Sequence, residues 1–358
     1  MKSFTSLILA KQTVNQDDTK PKAISEENGS IPKGLLLPFE LIAGKLSEVD
    51  ECIRQQAHTF DPGVEGYVSY VCEISGKRIR PALAILAGGA CGEAGQEQVS
   101  IGTVIELVHL ATLVHDDIMD GADLRREMPT ASAKWGSTLS VLLGDCLFAR
   151  ALEMAAQFED NTISQRVSAS ASAVCQGEIL QTQRRFDLNL THKEYFRIIE
   201  MKTGSLFATA TELGARLAGA DQHTQDHLRD FGMKVGIAYQ IYDDCLDLVG
   251  EEELAGKTLR TDLTKGKLTL PVLNLIASST KSQREKLNKH LLLKEPIDVD
   301  TLAGIADYDG SIDKATATGK EILAQATQHL TSLPDSPYCS GLRQVTAYLD
   351  SLLDTCLS

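Results

Sequence analysis

Two aspartate clusters share the pattern Asp-Asp-x-x-Asp, and their residue types and spacing are well suited to metal chemistry. They are Asp116-Asp117-Ile118-Met119-Asp120 and Asp243-Asp244-Cys245-Leu246-Asp247. Each ends a long apolar stretch of helical periodicity, and helical residues four positions apart lie on one face. Each cluster therefore gathers carboxylates whose repulsion must be offset by positive charge. Carboxylate oxygens favour a hard cation such as Mg²⁺, so two such clusters predict a diphosphate-binding metal site.

Basic residues follow both clusters closely in the sequence. Arg125 and Arg126 come soon after the first cluster, and Lys257, Lys265 and Lys267 come after the second. A single acidic pattern is often only a solvated helix end, and an arginine pair in a loop is often only solvated. A doubled pattern with flanking cations is instead what a diphosphate leaving group requires, because the carboxylates bind metals and the cations bind phosphate.

The elements that must position these residues are predicted to be helices. From about Leu35 onward the periodicity is helical nearly everywhere, and convincing strand alternation is absent. Residues 101–119 are apolar almost all round, which predicts a buried central helix. Residues 231–249 have the same character, and Gly232 and Gly236 would allow another helix to approach closely. The predicted fold class is all-α, a single large helical bundle with a central cavity.

Composition limits the partners and compartments that fit this chain. Its 358 residues carry a formal net charge of −14, which argues against nucleic acid or an anionic membrane surface as the main partner. Residues 1–33 are polar and predict a disordered tail, whereas residues 34–358 predict one domain. The eight cysteines include no C-x-x-C pair, which indicates a reducing compartment. No apolar run approaches the ~20 residues of a transmembrane helix, so a cytoplasmic protein is expected.

Six segments, including both clusters, together match the pattern of a known family. They are Gly76-Lys77-Arg78-Ile79-Arg80-Pro81, His115 to Asp120 with Leu124-Arg125-Arg126, Lys202-Thr203-Gly204, Tyr239-Gln240-Ile241-Tyr242-Asp243-Asp244, Gly256-Lys257, and Asp262 with Gly266-Lys267-Leu268-Thr269-Leu270-Pro271. In order and spacing they resemble the trans-isoprenyl diphosphate synthases, or polyprenyl synthetases. The resemblance implies a helical bundle of the isoprenoid synthase type, usually homodimeric. It also implies head-to-tail condensation of an allylic diphosphate with isopentenyl diphosphate.

The resemblance assigns a role to each matching residue. About three Mg²⁺ ions per active site would join the allylic diphosphate to six metal ligands: Asp116, Asp117, Asp120, Asp243, Asp244 and Asp247. The same diphosphate would be bound by Arg125, Lys202, Thr203, Gln240, Lys257 and Lys267. The isopentenyl diphosphate, which must not ionise, would be bound without metal by Lys77, Arg80, His109 and Arg126. Catalysis is expected to depend on Asp116, Asp117, Asp120, Lys202, Asp243 and Asp244.

Two histidines near the first cluster are interpreted differently. His109 alone would be read as an ordinary core histidine, and only the resemblance gives it a substrate-binding role. His115 adjoins the first cluster but is given no catalytic role. In this family the released diphosphate can itself accept the proton that must leave after bond formation.

Product length is predicted from the residues just before the first cluster. Ala111 and Thr112 are small, whereas short-product relatives often carry bulky aromatic residues there. The first cluster also lacks the insertion typical of bacterial short-chain enzymes. Both features resemble the long-chain polyprenyl diphosphate synthases. Because the depth of the pocket limits the length of the growing prenyl chain, they predict a product of roughly C30 to C45. A deeper residue such as Phe148 could still close the tunnel.

Several alternatives stay open beside the long-chain prediction. Geranylgeranyl or farnesyl diphosphate synthase is the nearest. A non-catalytic partner subunit would typically lose one or both aspartate clusters, and both are intact here. A class I terpene cyclase would mix Asn, Ser or Thr with Glu in its second metal motif. A head-to-head, squalene-type synthase would lack the basic pair Lys77 and Arg80.

The sequence departs from the family pattern at three places. Glu127 follows the arginine pair where glycine is usual, and Ser75 stands where a glycine usually precedes Gly76. The last ten residues, 349–358, contain no basic residue, whereas many relatives end with one. None of these departures removes a predicted metal ligand.

Overall fold

Helices make up nearly all the regular structure, which confirms the predicted all-α class. The computed structural model describes residues 37–74, 76–126, 128–250, 261–292 and 299–357, so the predicted tail at residues 1–33 lies outside it. The helices are α1 Leu37–Ala57, α2 Pro62–Glu73, α3 Ile79–Cys91, α4 Gln96–Met119, α5 Ala131–Trp135, α6 Ser137–Ala155, α7 Asn161–Gln183, α8 His192–Ile199, α9 Ser205–Leu217, α10 Gln222–Val249, α11 Thr261–Thr264, α12 Leu270–Ser278, α13 Lys281–Leu291, α14 Val299–Ile305, α15 Tyr308–Gln328 and α16 Pro337–Asp354. Strands in the described residues are limited to an antiparallel pair, β1 Leu124–Arg125 and β2 Met128–Pro129.

Helix α4 is the buried central helix that the apolar run at residues 101–119 predicts. It packs against α1, α3, α6 and α9. By length and composition α4 could cross a membrane, but 72% of its most apolar stretch is buried inside the bundle. A core helix can have the same length and composition as a membrane-spanning one, because a helix that is apolar all round must be covered on every side. The first aspartate cluster lies at the C-terminal end of this helix.

Helix α10 carries the second cluster and packs closely on α9, as the glycines predict. A Cβ atom at Gly232 would lie 2.3 Å from Thr211 Oγ1 and 2.5 Å from the carbonyl oxygen of Phe207. A Cβ atom at Gly236 would lie 2.8 Å from the Cα of Gly204. Side chains at these positions would push the two helices apart. Glycine therefore sets the distance between α10 and the segment that precedes α9.

The connection between α4 and α6, which includes β1 and β2, is anchored on α2. Tyr70 of α2 donates a hydrogen bond from its hydroxyl group to the carbonyl oxygen of Pro129 at 2.7 Å. The ring of Trp135 in α5 meets the ring of Tyr70 edge to face at 5.0 Å, and Lys134 Nζ lies 3.8 Å from the centre of the Tyr70 ring. These contacts hold in place the loop that carries the arginine pair after the first cluster.

Candidate active site

Both aspartate clusters line one large cavity. Its volume is about 1250 Å³, and the C-terminal ends of α4 and α10 meet there. Ligand pockets usually measure about 300–1,000 Å³, so this cavity can hold more than a diphosphate group. Apolar side chains from α4, α6 and α7 also line it: Leu113, Val141, Phe148, Val174 and Ile179.

Within the first cluster, Asp117 is paired with Arg125 of β1. The carboxylate of Asp117 is buried and accepts hydrogen bonds from Arg125 Nε at 2.9 and 3.0 Å and from Nη2 at 2.7 Å. Burial alone would lower the pKa of Arg125, but the bonds to Asp117 outweigh burial and raise this pKa above its usual value. A fork-shaped pair of this kind fixes the orientation of both side chains.

The other two aspartates of the first cluster are partly exposed. Among the described residues no side chain donates a hydrogen bond to Asp116, and burial raises the pKa of its carboxyl group. Asp120 instead has cations on both oxygens. Its Oδ2 lies 3.0 Å from Lys267 Nζ and 3.5 Å from Lys265 Nζ, and its Oδ1 accepts from Arg185 Nη2 at 3.2 Å. Burial opposes ionisation of Asp120, but Lys267 and the other lysines hold its pKa below the usual value.

In the second cluster, Asp244 is buried and its oxygens are bound within the protein. Tyr195 donates from its hydroxyl group to Oδ2 at 2.6 Å, and Gln240 Nε2 donates to Oδ1 at 2.8 Å. Burial and the nearby negative charge of Asp262 raise the pKa of Asp244 to about 8, despite both hydrogen bonds. In the metal-free protein this carboxyl group is therefore mostly protonated at neutral pH.

Asp247 is also buried, and it caps α11. Its two oxygens accept from the backbone amides of Thr261 at 3.4 Å and Asp262 at 3.3 Å. Asp243 is the partly exposed member of the second cluster and lines the cavity. Each cluster thus contains both kinds of aspartate. Asp116, Asp120 and Asp243 are partly exposed, whereas Asp117, Asp244 and Asp247 are buried.

Lys202 lies on a π-helical turn, Glu200–Gly204, between α8 and α9. Single π turns within helices occur often at functional sites. Its ammonium group forms an ion pair with Glu178 of α7 and donates to Gln181 Oε1 at 2.9 Å. Helix α7 comes this close because Gly177 has no side chain: a Cβ atom there would lie 2.7 Å from the backbone nitrogen of Lys202.

The other predicted ligands of the allylic diphosphate adjoin the aspartates. Thr203 donates from Oγ1 to Gln240 Oε1 at 2.7 Å, which fixes the orientation of that amide. Burial alone would lower the pKa of Lys267, but the carboxylates of Asp262 and Asp120 raise it above its usual value. The structure therefore brings Arg125, Lys202, Thr203, Gln240 and Lys267 to the same cavity. Lys257, the remaining predicted member of this group, lies outside the described residues.

A second group of basic side chains also lines the cavity: Lys77, Arg80, His109 and Arg126. The guanidinium carbon of Arg80 lies 4.6 Å from the centre of the Phe207 ring, and in the described structure its buried Nε has no hydrogen-bond partner. Burial lowers the pKa of Arg80, and desolvation at the cavity together with the nearby charge of Arg125 lowers that of Arg126, which is otherwise exposed. Burial, reinforced by these two arginines, holds the pKa of His109 well below its usual value, so the imidazole is neutral. An anion bound among these groups would relieve their mutual repulsion.

Arg78 lies between two members of this group in sequence but has a structural role. Its side chain is buried, and it donates to Asp50 Oδ1 at 2.7 Å and to Glu106 Oε1 at 2.8 Å. Its backbone is left-handed, with φ of 51°. The ion pairs of Arg78 fix this turn, which lies immediately before α3 and between Lys77 and Arg80 in the sequence.

Of the two residues predicted to govern product length, the structure places only Thr112 in the cavity wall. Ala111 is fully buried in the core of the bundle. Phe148 of α6 lines the cavity, and its ring centre lies 5.9 Å from that of His115. His115 Nε2 also lies within hydrogen-bonding distance of the Val141 carbonyl oxygen, at 3.0 Å, so this histidine packs α4 against α6.

Four side chains that form hydrogen bonds or ion pairs with the predicted site residues are not identified by the sequence motifs: Glu178, Gln181, Arg185 and Tyr195. For two of them the sequence holds a signal. Glu178 and Gln181 are three positions apart at the end of a helix, which puts them on one face. For the others, no short pattern indicates that they meet the aspartates, because each comes from a different segment of the chain.

The donor chemistry of the site fits Mg²⁺ held together with a phosphate ligand. Within the described residues, no group of three or more His, Cys, Asp or Glu side chains is arranged to hold a metal by itself. Arg125 and Lys267 occupy oxygens that a metal would need. Mg²⁺ commonly takes one or two carboxylates and completes its shell with water and substrate phosphate, which matches an oxygen-only donor set of this kind.

Comparisons with known proteins agree with this arrangement. The family model described as polyprenyl synthetase matches residues 61–308. Octaprenyl diphosphate synthase of Escherichia coli is 33% identical over 311 residues, covering 85% of this chain and 94% of that protein. Geranylgeranyl diphosphate synthase of Methanosarcina mazei is 33% identical over 287 residues, covering 79% of this chain and 87% of that protein.

A solved structure is also similar over nearly the whole described chain. It is the polyprenyl synthase from Caulobacter crescentus complexed with calcium and isoprenyl diphosphate. It superposes with a TM-score of 0.82 at 29% identity, covering 91% of this chain and 99% of that one. The helical bundle is therefore shared with polyprenyl synthases.

The raised pKa of Asp244 predicts how the metal-free protein responds to pH. The folded protein retains the Asp244 proton up to about pH 8, whereas an unfolded aspartate releases it near ~3.9, so stability is lost as pH rises between these values. Asp244→Asn cannot ionise and should gain stability relative to the wild type as pH rises from 5 to 9. Urea unfolding in EDTA measures this difference. A difference that does not change with pH would contradict the protonated state.

Proposed function

The chain belongs to the polyprenyl synthetase family, and we propose that it condenses an allylic diphosphate with isopentenyl diphosphate, head to tail, to give a long-chain all-trans polyprenyl diphosphate. One observation carries this proposal: a single cavity is lined by two aspartate clusters with adjoining cations and by a second basic group, formed by Lys77, Arg80, His109 and Arg126. Two diphosphates can then be bound in different ways. One is activated to leave, and the other is only held.

The partly exposed aspartates are the proposed metal ligands of the first kind of site: Asp116, Asp120 and Asp243. When Mg²⁺ is bound there, it supplies Lewis-acid stabilisation of the negative charge that develops on the leaving diphosphate. The buried aspartates act on their neighbours. Asp117 positions Arg125, and Asp247 positions the start of α11.

The basic residues beside the aspartates are proposed to bind the allylic diphosphate. In the absence of substrate, Lys202 pairs with Glu178, and Lys267 pairs with Asp120. Both lysines are therefore already at the cavity and can exchange a carboxylate for a phosphate oxygen. Arg125 stays oriented by its fork-shaped contact with Asp117 while its remaining N–H groups reach the substrate. Charge-assisted bonds of this type stabilise a departing diphosphate.

Isopentenyl diphosphate is proposed to bind to the second basic group, formed by Lys77, Arg80, His109 and Arg126. None of these four side chains is a carboxylate, so they bind a diphosphate without recruiting Mg²⁺, and the carbon–oxygen bond of this substrate is not activated. The lowered pKa of Arg80 reports a buried cation without sufficient compensation. An incoming diphosphate supplies that compensation, and neutral His109 can donate one N–H group.

The apolar part of the cavity is proposed to hold the growing chain and exclude water. An allylic cation reacts readily with water, so its surroundings must be apolar. Thr112 is small and leaves the wall open beneath the first cluster. Geranylgeranyl diphosphate synthase is the second candidate, because the Methanosarcina mazei enzyme is as similar in sequence as the octaprenyl enzyme and Phe148 lies in the cavity wall.

A homodimer is proposed, formed through α6 and α7. Large apolar side chains are exposed on these two helices: Leu142 and Leu152, together with Val141 and Ile179, which also line the cavity; Leu142 and Ile179 are each 56% exposed. Several such residues close together are typical of a protein–protein interface. The eight cysteines are all unpaired, which supports the proposed location in the reducing cytoplasm.

The metal assignment predicts the result of replacing Asp116. Asp116→Ala should lower turnover by about a hundredfold to a thousandfold, the effect of losing a metal ligand that stabilises the transition state. Purified protein with Mg²⁺, farnesyl diphosphate and labelled isopentenyl diphosphate provides the assay. Asp335→Ala is the matched control, since that side chain is 93% exposed. Near-normal turnover by a folded Asp116→Ala protein would refute the assignment.

The open wall at Thr112 predicts the product length. The wild type should extend farnesyl diphosphate to roughly C30 or beyond, and Thr112→Phe should stop near C15–C20, because a ring there would fill the cavity beneath the cluster. Thr112→Ser adds no bulk and keeps the hydroxyl group, which donates to the His109 carbonyl oxygen at 2.7 Å, so it should leave the product unchanged. Chromatography of the labelled products by chain length is the measurement. If Thr112→Phe made products of unchanged length, a residue other than Thr112 would limit the chain. A wild-type product of C20 would favour geranylgeranyl diphosphate synthase.

The apolar face on α6 predicts the assembly state. The wild type should have about twice the chain mass of 38.8 kDa in light scattering after gel filtration. Leu142→Glu should give monomers, because a charge buried in an interface costs several kcal/mol. Leu292→Glu changes an equally exposed leucine at the end of α13 and should remain dimeric. Monomeric wild-type protein, or a dimeric Leu142→Glu variant, would contradict the proposed interface.

A further inference from the structure

Asp120 receives cations from two segments that lie far apart in the sequence. Lys265 and Lys267, which follow α11, approach its Oδ2 at 3.5 and 3.0 Å. Arg185, which follows α7, donates from Nη2 to its Oδ1 at 3.2 Å. The two oxygens of one carboxylate are thus contacted by different parts of the chain.

Arg185 differs from the two lysines in its surroundings. It is not among the residues that line the cavity, whereas both lysines are. Its side chain is only 21% exposed, and its buried Nε lacks a hydrogen-bond partner within the described residues. Burying most of the Arg185 guanidinium group raises the free energy of the folded state, and its contact with Asp120 must offset this increase. Arg185 is therefore suited to act on the site through Asp120 and not by touching a substrate.

Two left-handed residues hold these segments together. Phe186 has φ of 61°, and its backbone N–H donates to the carbonyl oxygen of Gly266 at 2.8 Å. Gly266 has φ of 73°, and a Cβ atom there would lie 2.5 Å from the Phe186 ring. The contact requires glycine at this position. This contact brings the two segments together at Asp120. Arg185, the sequence neighbour of Phe186, reaches one carboxylate oxygen, and Lys265 and Lys267, the neighbours of Gly266, reach the other.

We propose that Arg185 is a positioning residue: it fixes the Asp120 carboxylate through Oδ1 and adds a positive charge beside the metal–diphosphate site. This inference rests on the proposed function. Lys267 can leave Oδ2 for a phosphate when a metal arrives, because it lines the cavity. Arg185 remains on Oδ1. Its charge repels a metal bound alone but attracts a diphosphate bound with the metal, so it couples the two binding events.

The test separates metal binding from diphosphate binding by calorimetry on the full chain. Mg²⁺ is titrated alone, and inorganic diphosphate is then titrated at saturating Mg²⁺. Arg185→Gln should weaken diphosphate binding by about tenfold, a size typical of coupling between two binding events. It should leave the affinity for Mg²⁺ alone equal or higher, since a nearby positive charge is gone. A general loss of structure would weaken both affinities together.

Arg184→Gln is the matched control. It makes the same change of charge one residue away, but Arg184 pairs with Asp187 and Glu194 and not with Asp120. Both affinities should stay within about twofold of the wild type. Arg185→Lys keeps the charge and should recover part of the lost diphosphate affinity. Circular dichroism confirms that each variant is folded.

Three results would overturn the inference. They are wild-type diphosphate affinity in Arg185→Gln, a parallel loss of Mg²⁺ and diphosphate affinity in that variant, and an equal loss in Arg184→Gln. No recovery in Arg185→Lys would also contradict the role of the charge. A wild-type protein that fails to bind diphosphate with Mg²⁺ would instead refute the proposed function, so the two failures are distinguishable.

Discussion

Charge balance around the aspartate-lined cavity is the constraint on which the rest of the structure depends. Carboxylates brought together in partly buried surroundings repel one another, and water cannot fully compensate them. The chain supplies cations from separate segments: Arg125 from β1, Lys202 from the π turn, and Lys267 from the segment after α11. The groups that neutralise the site without substrate are thus the groups proposed to bind the diphosphate.

Each aspartate cluster contains both partly exposed and buried carboxylates. Helical spacing gives every third or fourth residue a similar direction, so residues one position apart must point elsewhere. In the first cluster Asp116 is partly exposed while its neighbour Asp117 holds Arg125. In the second, Asp243 is partly exposed while Asp244 is bound by Tyr195. In both copies of the motif, a partly exposed carboxylate therefore stands beside one that is buried and bonded within the protein.

Close packing of the helices fixes the distances between the charged groups of the site. Glycines at the contacts of α7 and α10 with the π turn let backbones meet without intervening side chains, at Gly177, Gly204 and Gly236. The distance from Lys202 to Glu178 and the link from Thr203 to Gln240 both depend on that packing. A side chain at either contact would move cations relative to carboxylates, and ion-pair energies fall steeply with such changes.

The sequence by itself determined the helical class, the buried character of α4, the glycine contacts of α10 and most of the residues that line the cavity, because these follow from local periodicity and from short motifs. It did not reveal that Asp244 would be protonated, that Ala111 would lie in the core, or that Arg185 would contact Asp120. Burial and contacts between distant segments decide such properties. They exist only once the helices have packed, since no local pattern records which residues from distant segments will contact each other.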